Sequence, residues 1–349
     1  MEMSLFILFF SVVFILLINF FFRNQNFLVD LKILEHKSYI SKNSVPLSGG
    51  FLIFCYLLLF IDIIFLKLIF LFIFILGVLS DLFVISSPLK KMILQIFITL
   101  LFVIFSGIYI HSTKIIFIDY FLQYKYFSIF FTCFCLLVLI NGSNFMDGVN
   151  TLVVGYYILV ILSILYLGFY NEINYNFNNY YNLLLVLLIL FFFNALSKIY
   201  LGDSGVFLLS FTIGYYLIDF SNNNLEVDKF VSPIFIMLLL WYPAFENLFS
   251  ILRKKNNKVS PYEPDNKHLH HLLFSFLNRK IKKNVDFLNT LTGIIINSYN
   301  CVIFYFSLSF YENSKFLSYM IILNIFAYLS FYFFYIREVN TEIKIKYFR

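Results

Sequence analysis

Apolar runs of membrane-crossing length fill most of this chain, and the few polar stretches that interrupt them constrain it most. The sequence is 61% hydrophobic and 13% charged. A crossing helix needs roughly 20 apolar residues, so a 349-residue chain of this kind is a polytopic all-α membrane protein. Eleven transmembrane helices are predicted, near 4–22, 49–64, 66–79, 92–110, 126–142, 152–169, 181–197, 205–220, 231–250, 286–309 and 317–336. A tight hairpin at Asp62 and Lys67 must separate the second from the third. The first run lacks a basic leader and a small-residue cleavage site, so it is read as a retained helix. Cys55, Cys133, Cys135 and Cys301 all lie in apolar runs, with neither disulfide nor CxxC metal spacing. No repeat or soluble domain is visible, so residues 1–349 are read as one integral membrane domain.

The basic residues orient that domain. One set of loops, 23–48, 80–91, 143–151, 198–204, 251–285 and 337–349, carries 20 of the 25 Lys and Arg. The alternate loops hold only Lys67, Lys114, Lys125, Lys229 and Lys315. The positive-inside rule then places the N-terminus outside and the C-terminus in the cytoplasm. The net charge of +6 follows this topology and is no nucleic-acid signature.

Four polar segments fall on the cytoplasmic side: SDLFVISSPLKK (80–91), NGSNFMDGVN (141–150), LGDSG (201–205) and PDNKHLHHL (264–272). Asp203 sits at a helix start between Gly202 and Gly205, where a carboxylate can hold a phosphate-bound cation or simply cap the helix. Asn141, Asn144, Asp147 and Asn150 recur every three residues, a polar stripe if that stretch is helical and an interfacial turn if not. Asp81 precedes Lys90 and Lys91, a set suited to metal-phosphate binding or to interfacial snorkelling. His268, His270 and His271 lie on the largest extramembrane loop, 251–285. They lack the further Cys or His ligands of a zinc site, so phosphate binding, proton transfer or plain solvation remain open.

These segments together resemble the bacterial polyprenyl-phosphate sugar-1-phosphate transferases (MraY- and WecA-like, glycosyltransferase family 4). The similarity runs over 45–272. VPLSGGFLIF resembles a Pro-x-x-Gly-Gly helix entry and LSDLFVISSPLKKMILQ the aspartate motif with downstream lysines. NGSNFMDGVNTLVVGY resembles Asn-x-x-Asn-x-x-Asp-Gly, NALSKIYLGDSGVFLLSF the Gly-Asp-x-Gly segment, and PDNKHLHHLLF the His-x-His-His loop.

The resemblance implies transfer of a sugar-1-phosphate from a UDP-sugar to a polyprenyl (undecaprenyl) phosphate, with release of UMP. It implies Mg²⁺ dependence, with Mn²⁺ as a substitute. Carried onto this sequence, Asp203 is the metal ligand and Asp81 a base or second metal-side carboxylate. Asp147 and Asn144 line the cleft, Lys90 and Lys91 supply cations, and His268, His270 and His271 contact the diphosphate or uridine. It also implies an inner-membrane protein with a cytoplasmic active site, and it allows a homodimer. The sugar expected is an N-acetylhexosamine, for a surface glycan such as lipopolysaccharide.

The chain departs from the family at Ser80, where an aspartate is usual, and at Asn150-Thr151, where Asp-Gly is usual. Leu47 and Ser48 stand near the place of a common arginine. Roles resting on a carboxylate at 80 or 150 do not carry over. The rival readings are a transporter or lipid flippase, which would put charges near the midplane and show paired halves, and an intramembrane aspartyl protease, which leaves the histidines unexplained.

Overall fold

A computed structural model describes residues 2–29, 45–170, 173, 175–224, 231–256, 258, 267–281 and 283–347. Pro264, Asp265 and Asn266 of the histidine segment, most of the loop ahead of it, and Lys32, Lys37, Lys42 and Lys229 lie outside the described residues. The described chain is helical throughout its ordered elements. These are α1 (Glu2–Gln25), α2 (Gly49–Phe60), α3 (Ile64–Asp81), α4 (Pro88–Ser106), α5 (Ile116–Leu122), α6 (Lys125–Met146) and α7 (Leu152–Tyr170). The second half has α8 (Asn178–Ala195), α9 (Gly202–Asn223), α10 (Pro233–Leu239), α11 (Trp241–Asn256), α12 (Leu269–Lys280), α13 (Val285–Leu308) and α14 (Ser314–Tyr347).

Each of the eleven predicted segments contains a helix. Among the described residues nine helices are long and apolar enough to cross a membrane: α1, α3, α4, α6, α7, α8, α9, α13 and α14. The predicted run 231–250 is instead two helices, bent by 67°. Pro243 accounts for the break, because its missing N–H cannot continue the ladder from α10. The predicted run 49–64 yields only the 12-residue α2, which ends where Ile61 turns extended. Two helices were not foreseen: α5 between spans, and α12, which carries the histidines inside what reads as a loop.

The outer helices show Phe9, Phe105, Phe130, Tyr305 and Phe326 on their surface, an apolar exterior suited to lipid. Inside, buried hydroxyls return to their own helix. Ser11, Ser210, Thr212 and Thr292 each donate to the carbonyl four residues back, which satisfies them without a partner helix.

Helix α9 is the most enclosed span and packs against α2, α3 and α6. Small residues allow this. A Cβ on Gly50 would lie 2.5 Å from the amide nitrogen of Gly205, and one on Gly77 would collide with Ser204 Cα. The α9 start is also tied to the entry of α2, where Tyr200 N donates to Pro46 O (2.9 Å) and Gly49 N to Tyr200 O (3.0 Å). The Pro-x-x-Gly-Gly stretch is therefore the bed on which the Gly-Asp-Ser-Gly segment rests. Ser48 adds a buried hydrogen bond to Asn19 of α1 (2.5 Å), and Asn19 donates to Lys198 O (3.3 Å).

Candidate active site

The end of α3, the first turn of α4 and the start of α9 meet at one point. Asp81 is the last residue of α3, but it caps α9. Its Oδ1 accepts from Asp203 N (2.7 Å) and its Oδ2 from Ser204 N (3.0 Å). A carboxylate on the first amides of a helix fills two donors that have no intrahelical partner and meets the positive end of the dipole. Gly202 makes room for it. Its φ of +69° is a left-handed conformation, and a Cβ there would lie 2.7 Å from Asp81 Oδ2.

Asp203, one residue into α9, turns its own carboxylate away from the helix. Its Oδ2 accepts from Lys91 Nζ (3.1 Å) and from the Ser80 hydroxyl. Both members of the ion pair are about a quarter exposed, so the pair opens to solvent on one side. Ser80 stands where the resemblance implies an aspartate. A second carboxylate against Asp203 would repel it, whereas the hydroxyl donates to it. Lys90, predicted alongside Lys91, is exposed in the same turn of α4, and only Lys91 reaches Asp203.

A second group of residues forms around the end of α6. The helix continues past the predicted boundary at 142 to Met146, so Asn141 and Asn144 share a helical face as their spacing suggests. Asn141 donates to Gln95 (3.0 Å), one turn beyond Lys91 on α4, which links this group to the first. Asp147 is the C-cap of α6, its amide donating to Asn144 O (3.3 Å). The stripe ends there. Asn150 is buried, takes Asn289 Oδ1 on its amide (2.5 Å) and donates its side chain to Ser197 (2.8 Å). Thr151 has a φ of +65°, strained for a β-branched residue, and is held by Asn194 Oδ1 on its amide (2.6 Å). These two residues thus bind helices α8 and α13 together.

The histidines pack on the same end of α6. Gly148 lies directly against His270 Nε2 and His271 Nε2, and the rings of His268 and Phe145 stack at 5.2 Å. His270 is wholly buried and neither ring nitrogen has a partner among the described residues. Burial first, then the neighbouring His271 and His268, holds its imidazole well below the usual range, so it is neutral. Its neighbours are partnered. His268 Nδ1 lies 2.7 Å from Glu246 Oε1 on α11, and Lys254 Nζ sits 5.4 Å over the Phe145 ring.

Glu246, Phe145, Lys254 and the structural partner Gln95 are site residues that the sequence reading missed. Glu246 had a signal: an acidic residue in the middle of the apolar run WYPAFENLF, which in a membrane protein marks function or a buried partner.

No group of three or more His, Cys, Asp or Glu among the described residues can cage a metal ion. Magnesium does not need one. It is held by one or two carboxylates together with substrate phosphates and water. Asp203 fits that requirement, since Ser80 and Lys91 engage only its Oδ2 and leave Oδ1 without a hydrogen bond among the described residues.

Fold and site together define a polytopic helical membrane protein whose charged and imidazole side chains gather at helix ends. Residues 63–221 match the sequence model of glycosyl transferase family 4. Among curated relatives, the undecaprenyl-phosphate α-N-acetylglucosaminyl 1-phosphate transferase of Escherichia coli K12 is 25% identical over 202 residues. That match covers 56% of this chain and 54% of the relative. The Yersinia pestis protein of the same name is 24% identical over 209 residues, with the same coverage. The Thermotoga maritima one is 38% identical over 87 residues, 25% of this chain and 26% of the relative. The chain spans about half the length of the curated relatives it matches in the longer alignments.

Proposed function

We propose that the protein transfers a sugar-1-phosphate, of the N-acetylglucosamine type, from a UDP-sugar to undecaprenyl phosphate and releases UMP. One observation carries this reading: segments far apart in sequence converge in pairs at helix ends, Ser80–Asp81–Lys91 with Asp203 and the Asn141–Gly148 stretch with His268, His270 and His271. The names of the relatives supply the lipid and the sugar.

In this proposal an oxygen of the lipid phosphate attacks the β-phosphorus of the donor. The bond between that phosphorus and the UMP oxygen breaks, and UMP leaves with the electron pair. Both reactants are anionic, so positioning and charge neutralisation do most of the work. Bound Mg²⁺ supplies a hard cation that neutralises phosphate oxygens. Asp203 would hold it, Lys91 fixes the Asp203 carboxylate and adds a positive charge, and Asp81 fixes the turn from which Asp203 projects. Asp147, Asn144 and the histidines are assigned to the nucleotide side. Lys90, in the exposed first turn of α4, is assigned to the approach of the lipid phosphate.

The site is assigned to the cytoplasmic face of the inner membrane, with the N-terminus outside, eleven crossings and the basic loops inside. A product of this kind begins a surface glycan. Purified protein supplied with undecaprenyl phosphate and UDP-N-acetylglucosamine is expected to release UMP only with Mg²⁺ or Mn²⁺ present. Asp203→Asn is expected to lower the rate at least about tenfold, or 1.4 kcal/mol of barrier. Release of UMP at the wild-type rate by Asp203→Asn, or none by the wild type with any UDP-sugar, overturns the assignment.

A further inference from the structure

Glu246 lies on α11 with no solvent exposure at all, and both its oxygens are occupied. Oε1 is 2.7 Å from His268 Nδ1, and Oε2 accepts the Tyr328 hydroxyl of α14 at 2.7 Å. A buried carboxylate is costly unless each oxygen is hydrogen-bonded, and breaking one such partnership is more costly than never having it. Nothing in the sequence segments that carry the reaction includes Glu246 or Tyr328.

The backbone beside His268 is anchored from the same wall. Arg253, one turn after Ser250 on α11, donates from Nη1 to the carbonyl of Lys267 (2.5 Å) and has its guanidinium 5.7 Å from the Phe249 and Tyr332 ring centroids. His268 is thus fixed twice by α11 and α14, through its main-chain neighbour and through Nδ1. On its other side the ring stacks on Phe145, two residues before Asp147, and lies 5.7 Å from the His270 ring.

We propose that Glu246 is a positioning residue for His268, with Tyr328 holding Glu246 in place, so that the last span of the bundle sets the tautomer and orientation of a ring at the site. A carboxylate accepts and cannot donate, so its place at Nδ1 puts the ring proton on that nitrogen and makes Nε2 the other face of the imidazole. The carboxylate acts through the histidine, as the orienting acid does behind a histidine base in other enzymes. The inference rests on the transferase reading only for what the oriented ring contacts, which is the UDP-sugar.

The test has two arms, and the first is independent of that reading. Protein labelled with ¹⁵N in its histidines is reconstituted in nanodiscs, and the His268 ring signals are assigned by their loss in His268→Asn. The wild type is expected to carry the proton on Nδ1. Glu246→Gln offers an amide donor to the same nitrogen and is expected to move the ring towards the Nε2–H form, while Glu246→Asp keeps the wild-type form. Tyr328→Phe removes a single oxygen and keeps the aromatic packing on Phe245, Phe249 and Tyr332. It is expected to shift the Nδ1 resonance without exchanging the tautomer.

The second arm is kinetic. Glu246→Gln is expected to raise KM for the UDP-sugar about tenfold, the low end for losing a hydrogen bond to a charged group, with Tyr328→Phe raising it less and KM for undecaprenyl phosphate nearly constant. An Nε2–H tautomer in the wild type overturns the inference. So does a His268 signal unchanged in both Glu246→Gln and Tyr328→Phe, or in Tyr328→Phe alone where Glu246→Gln does not fold. Equal KM changes for both substrates also overturn it. If the wild type releases no UMP, the transferase reading fails and the spectra alone decide the role of Glu246.

Discussion

Asp81 has both carboxylate oxygens on backbone amides of a helix other than its own. That arrangement fits a group that builds the site better than a free base. Asp81→Asn keeps the shape but turns an NH₂ towards one of the two amides. It is expected to cost about 1.5–3 kcal/mol, the range for a hydrogen bond to a charged group. A lowered Tm alongside lost turnover is the expected result; lost turnover at an unchanged Tm points instead to proton transfer by Asp81. His270 gives a second expectation. Its imidazole is held well below the ordinary 6.5. Above that pH it is neutral both folded and unfolded. Below it the unfolded chain takes up a proton that the folded chain does not, so stability falls as the pH drops, by at most about 1.4 kcal/mol per unit. Thermal melts between pH 7 and 5 are expected to fall less steeply in His270→Leu than in the wild type.

At the scale of elements, the α2–α3–α9 seam is the part whose geometry fixes the charged side chains. Backbones approach there because Gly50, Gly77 and Gly205 have no side chain to separate them. Gly77→Ala is expected to cost about 1–3 kcal/mol as an overpacked contact and to reduce turnover further, by moving Asp203 relative to Lys91. Gly107 is the control. It ends α4 with a φ of +68°, and nothing lies within 4 Å of a Cβ there. Gly107→Asn, a residue that tolerates the left-handed form, is expected to leave both Tm and turnover close to wild type. Comparing the two variants by melting and by UMP release separates close approach from local backbone strain.

For the whole molecule, the topology is the main expectation left to measure. Ser86 and Lys258 are exposed on loops of the basic set, and Gln123 and Glu312 are exposed on the alternate set. In a cysteine-free background, single cysteines at 86 and 258 are expected to react with an impermeant maleimide only after the membrane is opened. Those at 123 and 312 should react in intact cells. Labelling of 86 from outside overturns the orientation. The α2 question, a 12-residue helix that decides between ten and eleven crossings, is read by a fifth cysteine at Asn26, exposed between α1 and α2: it shares the side of 86 if α2 crosses and lies opposite 86 if it does not.

The sequence alone determined the class of fold, because hydrophobicity over some twenty residues is a local property that a bilayer converts directly into helices. It also singled out Asp81, Asp203, Lys91 and the histidines, since charge is rare in such a chain and every instance stands out. Their roles were decided by tertiary structure. Whether Asp81 capped its own helix or another depended on how α3 meets α9. Asn150 belonged to the polar stripe by spacing, yet α6 ends at Met146 and the backbone beyond it turns Asn150 towards Ser197 and Asn289. Glu246 was visible as a charge in an apolar run, but its partners His268 and Tyr328 are 22 and 82 residues away. Contacts of that separation are fixed by packing between helices, and no local pattern in the chain encodes them.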